Sequence, residues 1–140
     1  MIRRSFYLAS LLMLVCFPVR SQDTAEEAIK KLVGTNAKLW VFKNITRIKI
    51  GPRCETGETW RFYADGHVSV NRCVDGAMKE VEVHHWEVRQ ISDLDVGIKI
   101  GNDEYRLIFP STNGDKEIMI LRERPHNQTE EAKDHNFHHP

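Results

Sequence analysis

The densest set of chemically capable side chains lies near the end of the chain, in Asp134-His135-Asn136-Phe137-His138-His139. Neutral imidazoles bind Zn²⁺, Cu²⁺ or Ni²⁺, and a flexible chain can wrap an ion without a preformed site. A metal site at His135, His138 and His139 competes with the simpler reading of a solvated tail. A second pair, His84-His85, sits in the run MKEVEVHHWEV. Neighbouring side chains of a regular strand point to opposite faces, so these two chelate one ion only if a bulge turns one of them. Asp93 and Asp95 are close in sequence, yet in a turn they are solvated rather than opposed across a substrate as acid and base. No G-x-S-x-G elbow, H-E-x-x-H pair or glycine-rich phosphate loop occurs. These residues argue against catalysis and call for no cofactor. The chain is expected not to be an enzyme.

Sulfur is the other reactive element, and its meaning depends on the compartment. Arg3 and Arg4 precede an apolar run from Phe6 to Val19 that is broken by Pro18 and too short to span a bilayer. Val19-Arg20-Ser21 then offers small residues at the −3 and −1 positions of a signal-peptidase site. Residues 1–21 read as a cleaved signal peptide, which places the mature protein in the periplasm or outside the cell. An uncleaved anchor and a lipoprotein formed at Cys16 are the rival readings; bulky Val15 stands where the second needs a small residue. Cleavage leaves Cys54 and Cys73, and an even count in an exported chain reads as a disulfide. Closing a loop of that length stabilises by about 3 kcal/mol in the chain-entropy view.

The leader carries three of the 20 basic side chains and none of the 20 acidic ones. The remaining 119 residues therefore hold 17 basic against 20 acidic groups, a net of −3. No basic patch emerges, so nucleic acid is not an expected partner. No later apolar run is long enough to enter a membrane as a helix.

Stepping from chemistry to the elements that position it, DTAEEAIKKLV predicts a helix over residues 23–33. Ala25, Ala28, Ile29, Leu32 and Val33 share one face, with Glu26–Lys30 and Glu27–Lys31 paired on the other. Asp23 or Thr24 can cap it in a capping box with Glu26 or Glu27, and Gly34 ends it. From Ala37 onward short β-rich runs alternate with turn residues. A three-residue loop Ala64-Asp65-Gly66 pairs Phe62 with Val68 and Trp60 with Val70, leaving one apolar face. A turn at Asn102-Asp103 sets Ile100 against Tyr105, Ile98 against Leu107 and Val96 against Phe109. A turn at Asn113-Gly114 sets Phe109 against Ile118 and Leu107 against Ile120. In MKEVEVHHWEV the apolar parity changes within His84-His85, predicting a bulge or corner there.

The pattern predicts an all-β fold: an antiparallel meander of seven or eight strands closing into a barrel, with one short N-terminal helix. A two-sheet sandwich is the alternative. The domain is expected over residues 22–124, followed by a disordered His-containing tail over 125–140. Trp40, Trp60, Phe62, Trp86, Tyr105 and Phe109 either fill that barrel or line an apolar cavity, with Tyr105 and Arg122 as anchors for a ligand's polar end. Asn44-Ile45-Thr46 and Asn127-Gln128-Thr129 match the N-glycosylation pattern, which matters only in a eukaryotic secretory pathway.

With a helix and then a strand meander, the chain resembles the lipocalin-like (calycin) barrels, above all the small exported bacterial ones. The likeness is carried by Leu32-Val33-Gly34-Thr35, Trp40, Trp60, Trp86, Tyr105-Arg106-Leu107 and Met119-Ile120-Leu121-Arg122, over roughly residues 25 to 124. In that family a G-x-W motif precedes the first strand, and its Trp packs near an Arg from the last strand. Here Asn36 occupies the Trp position, Trp40 comes four residues later, and Arg122 would stand for the Arg. The resemblance implies a small, partly apolar ligand held in or at the barrel. A narrower likeness is to periplasmic inhibitor barrels for secreted metalloproteases, in the order Cys54, Cys73, Trp86. It implies a secreted hydrolase as partner, with an N-terminal segment, here Gln22 to Ala25, entering the enzyme's cleft. Metal scavenging through the tail is a third expectation.

Overall fold

A computed structural model describes residues 23–43, 54, 57–110, 114, 116–125 and 130–140 of the chain. The expected leader, the stretch after Lys43 and both N-x-T sequons (Asn44-Ile45-Thr46 and Asn127-Gln128-Thr129) lie outside the described residues.

Helix α1 (Ala25–Val33) forms where the apolar spacing predicts it. Thr24 accepts from the Glu27 amide while the Glu27 side chain accepts from the Thr24 amide, so two orphan donors of the first turn are satisfied. Gly34, at φ 60°, ends the helix in a conformation that other residues resist. Glu26 and Lys30 form the expected exposed pair at 3.3 Å. Lys31, by contrast, reaches Asp23 at 2.6 Å, because Glu27 is occupied in the cap.

Eight strands follow: β1 (Ala37–Phe42), β2 (Glu58–Tyr63), β3 (His67–Val74), β4 (Ala77–Ser92), β5 (Asp95–Ile100), β6 (Asp103–Ile108), β7 (Ile118–Glu123) and β8 (Asp134–His138). Each is antiparallel to the next, and β8 returns to β1 to close a barrel. The β2–β3 register is the expected one, with Trp60 opposite Val70 and Phe62 opposite Val68. Gly66, at φ 94°, supplies the left-handed turn position. Cys54 and Cys73 are joined in a disulfide with their Cα atoms 6.0 Å apart.

Four expectations are corrected. The tail is not disordered over residues 134–138: β8 lies between β7 and β1, and Phe137 is 1% exposed. The barrel domain therefore runs to His138, beyond the boundary at 124. A single inward aromatic suffices for a strand whose neighbours satisfy its backbone on both sides. Second, β4 has no corner at His84-His85, which pair regularly with Val68 and His67. The register shifts fall at Val81 and Ile91, and Val81 and Val83 face solvent at 41% and 54% exposure.

Third, β5 and β6 pair two residues tighter than expected, Val96 with Leu107 and Ile98 with Tyr105. Gly101, at φ 59°, permits a two-residue turn with Asn102. That register opposes Lys99 to Glu104 instead of to Arg106, replacing a repulsion by an attraction. Fourth, β6 and β7 slip by one residue, so Met119 and Leu121 point inward in place of Ile118 and Ile120. A one-residue slip inverts every side chain of the strand. Arg122 consequently faces outward, where it forms a two-pronged pair with Asp134 at 2.7 and 2.9 Å.

The core runs the length of the barrel. Ala28, Leu32 and Val33 seal one end, and the Trp40 indole donates to the Leu32 carbonyl at 2.9 Å. At the same end the Trp86 indole donates to the carbonyls of Tyr63 and His67. The opposite end is ringed by polar groups on the inward parity. Glu58, Arg72, Glu82 and His84 form one chain of contacts, and Glu123 and His135 another.

Ion pairing gives the fold an acid-sensitive side. The carboxyls of Glu82, Glu117 and Asp134 sit below the ordinary carboxylate range because His84, Lys38 and Arg122, respectively, donate hydrogen bonds to them. Burial, then the charges of Lys116 and Lys43, lower the His138 imidazole. Each of these groups binds its proton more readily in the unfolded chain, so stability is present above the unfolded pKa and is lost as pH falls through the folded one. The denaturant midpoint is expected to fall from neutral pH into the range just below the ordinary imidazole value, and again below the carboxylate range. His138→Gln should remove the first step only; a His138→Gln variant with an unchanged profile would refute that assignment.

Candidate functional site

The six aromatic residues expected to line or fill the barrel do converge, and among the described residues they pack against one another and one core. Trp40 and Phe62 are fully buried, and Trp60, Trp86, Tyr105 and Phe109 pack against the same core. Ring contacts run from the open mouth inward: Tyr105 to His135 at 5.9 Å, His135 to Phe42 at 6.0 Å, Phe42 to Phe137 at 5.0 Å and Phe137 to Trp60 at 5.2 Å. Trp60 to Phe62 and Phe62 to Trp86 follow, each at 6.2 Å. These are the spacings of packed rings, so the middle of the barrel is occupied by protein. Tyr105 is the one expected anchor that stays on the inner face. Its hydroxyl is pushed up by burial, then by the carboxylates of Asp103 and Glu123.

Along β8, His135 and His138 fall on opposite faces, because side chains alternate along a strand. His135 contacts Glu123 at 2.6 Å, and the His139 ring meets the Leu39 carbonyl at 2.9 Å. Among the described residues no three His, Cys, Asp or Glu side chains gather where they could hold an ion. The expected inhibitory arm is also tied down where it is described. Asp23 holds Lys31, Thr24 caps α1, and the Ala25 amide donates to the Gln90 side chain across the barrel end at 2.9 Å.

Among the described residues, three surface hollows bear on the site. A space of about 140 Å³ beside Arg89, Ile91, Gly97 and Tyr105 is too small for more than a fragment. At the mouth, about 500 Å³ is bordered by Asn102, Asp103, Glu104, Tyr105, Glu123 and Arg124 and is mostly polar. The third, about 410 Å³, lies along the seam where β8 meets β1, and its lining is mostly apolar. Lys43, Lys116, Ile118, Asn136, Phe137 and His138 form it.

The seam groove follows from how the barrel closes. Among the described residues Val41–His138 and Phe42–Phe137 are in register between β1 and β8, and the Lys43 amide adds one bond to the Asn136 carbonyl at 2.8 Å. The β6–β7 connection brings Lys116 and Ile118 to the other side, with Ile118 directly opposite His138. Sequence reasoning missed the site because its lining comes from three distant segments. The available signal was Phe137, the one large apolar residue of the polar tail.

Eight antiparallel strands closed on themselves are compatible with a lipocalin-like barrel and with ligand binding. Among the described residues no helix is long and apolar enough to cross a membrane. Comparison with protein-family models, curated proteins and solved structures finds no match to this chain.

Proposed function

We propose that this chain is an exported, non-enzymatic binding protein of lipocalin-like build that holds a small, partly apolar ligand on its outer seam rather than in its interior. The observation that carries this reading is the mostly apolar groove of about 410 Å³ along the β1–β8 seam. That volume lies within the usual range for small-molecule sites, and a few polar groups border an apolar lining as such sites require. The packed rings inside the barrel support placing the ligand outside it. The Cys54–Cys73 bridge supports an oxidising compartment.

Binding is expected to be visible in tryptophan emission, because Trp60 touches Phe137 at 5.2 Å and Phe137 lines the groove. Titration with an apolar probe such as 1-anilinonaphthalene-8-sulfonate should change that emission saturably. Trp60→Phe should remove most of the change, whereas Ile118→Glu should weaken binding by about tenfold or more by placing a charge in the apolar lining. A saturable response untouched by Ile118→Glu would locate the ligand elsewhere and sink the reading.

A further inference from the structure

We propose that the outer face of the barrel carries a two-imidazole site for a divalent first-row transition-metal ion, with His67 Nε2 and the His85 ring as its protein ligands. It is separate from the seam groove and goes beyond the function proposed there. His67 opens β3, and His85 stands directly opposite it on β4. Their neighbours Val68 and Trp86 pack into the core, so alternation turns both imidazoles outward. The Trp86 amide donates to the Gly66 carbonyl at 2.8 Å, and on the far side the Gly101 amide donates to the His85 carbonyl at 2.9 Å. His67 and His85 are thereby a non-hydrogen-bonded pair of the ladder, the kind whose Cα atoms lie about 4.5 Å apart and whose side chains are closest. Two imidazoles so placed can share one ion at about 2 Å from each nitrogen.

His67 is already held as a ligand would be. Asp65 accepts from its Nδ1 and also from its backbone amide, the latter at 3.1 Å. A carboxylate only accepts, so in the neutral ring the proton sits on Nδ1 and the lone pair of Nε2 is left for a metal. The Asp65 carboxyl is held below its ordinary range, first by the His67 amide. Tyr63 stacks on the imidazole, with ring centroids 4.1 Å and planes 14° apart, which fixes the ring's orientation. His85 is exposed and can swing to meet it. Nearby on the same face Arg61 lies opposite Ser69, and Glu87 is engaged by Arg89, so imidazole nitrogen rather than net charge selects the ion. Two protein ligands leave the rest of the coordination shell to water, and nitrogen ligands of this kind favour Cu²⁺ over the other divalent ions of the row.

The test adds copper, nickel or zinc chloride to the full chain, measures affinity by calorimetry and follows the histidine ring signals by NMR. Zn²⁺ should shift the His67 and His85 signals before those of the other histidines, and sub-stoichiometric Cu²⁺ should broaden the same two first. Cu²⁺ should bind tightest, and its binding should weaken as pH falls through the imidazole range, because the ligands must be deprotonated. His67→Gln and His85→Gln should each weaken Cu²⁺ binding by about tenfold or more, since either change breaks the chelate. Asp65→Asn, which keeps an acceptor for the His67 amide but removes the charge, should also cost about tenfold, with the metal-free chain melting near the parent temperature. His84→Gln, on the inward side of the same strand, serves as the control and should leave the Cu²⁺ affinity where it was.

Equal responses from all the histidines would mean adventitious surface binding only and would overturn the site. So would a Cu²⁺ affinity that survives His85→Gln, or a first response at His135, His138 and His139, which would move the metal to the end of the chain. A response at His67 with none at His85 would overturn the two-ligand geometry. Near-UV circular dichroism shows which variants are folded, and should His67→Gln fail to fold, the exposed His85→Gln decides. Failure of this site leaves the seam groove standing, and failure of the groove leaves this site standing.

Discussion

Ending the chain after residue 130 abolishes cooperative folding: this is the expected result for a barrel whose last strand is also its lock. β8 supplies ladder bonds to β7 on one side and to β1 on the other, and its loss leaves both of those strands with open edges. It also removes Phe137, which is 1% exposed and lies within ring contact of Phe42 and Trp60. The single substitution Phe137→Ala is expected to cost about 3–5 kcal/mol from lost burial and the cavity left behind. Against a total of about 5–15 kcal/mol for a domain, that is enough to unfold much of the population. Phe137→Leu, which keeps most of the volume, should cost far less. Thermal melts followed by near-UV circular dichroism decide the matter. A chain ending at residue 130 that still melts sharply, near the parent temperature, would show that the barrel does not depend on β8.

Reduction of the Cys54–Cys73 bridge is the second large effect. The cross-link spans 19 residues and ties Cys54 to the outer part of β3. Removing it frees the unfolded chain of a loop closure, and the expected loss is about 3 kcal/mol. With a urea slope of about 1–3 kcal/mol per molar for small proteins, the unfolding midpoint should drop by roughly 1–3 M. The native ladder between β3 and β4 is long, running from His67–His85 to Val74–Ala77, so the folded structure itself should survive. Cys54→Ala/Cys73→Ala should match the reduced parent, separating the covalent link from any effect of the reductant. A midpoint that does not move on reduction would mean the bridge contributes nothing to stability.

Much of this architecture was legible in residue order. The capping box at Thr24 and Glu27, the β2–β3 register and the pairing of the two cysteines all follow from local rules that tertiary contacts did not override. What misled was apolar residues on the wrong side of a strand. Val81 and Val83 suggested an inner face, yet the inner positions belong to Glu82 and His84 because the ribbon there borders the polar mouth. Ile118 and Ile120 suggested another, yet Met119 and Leu121 take the interior. Arg122, expected as an inward anchor, was carried outward by the same slip. The groove was least legible of all. Its lining joins Lys43, Ile118 and His138, residues that nothing short of the closed barrel brings together.

The pairing of β1 with β8 has a consequence for how the chain comes to be folded. Val41 meets His138, so the contact that completes the ring joins points almost as far apart as the described chain allows. Contacts of such long sequence separation are won late, and topologies built on them fold slowly, in about milliseconds to seconds. On a chain made from its amino end, every other strand is already synthesised before the sealing one exists. Over that interval the nascent sheet is a curled ribbon with two unsatisfied margins, and the escort it then needs is one that shields edges.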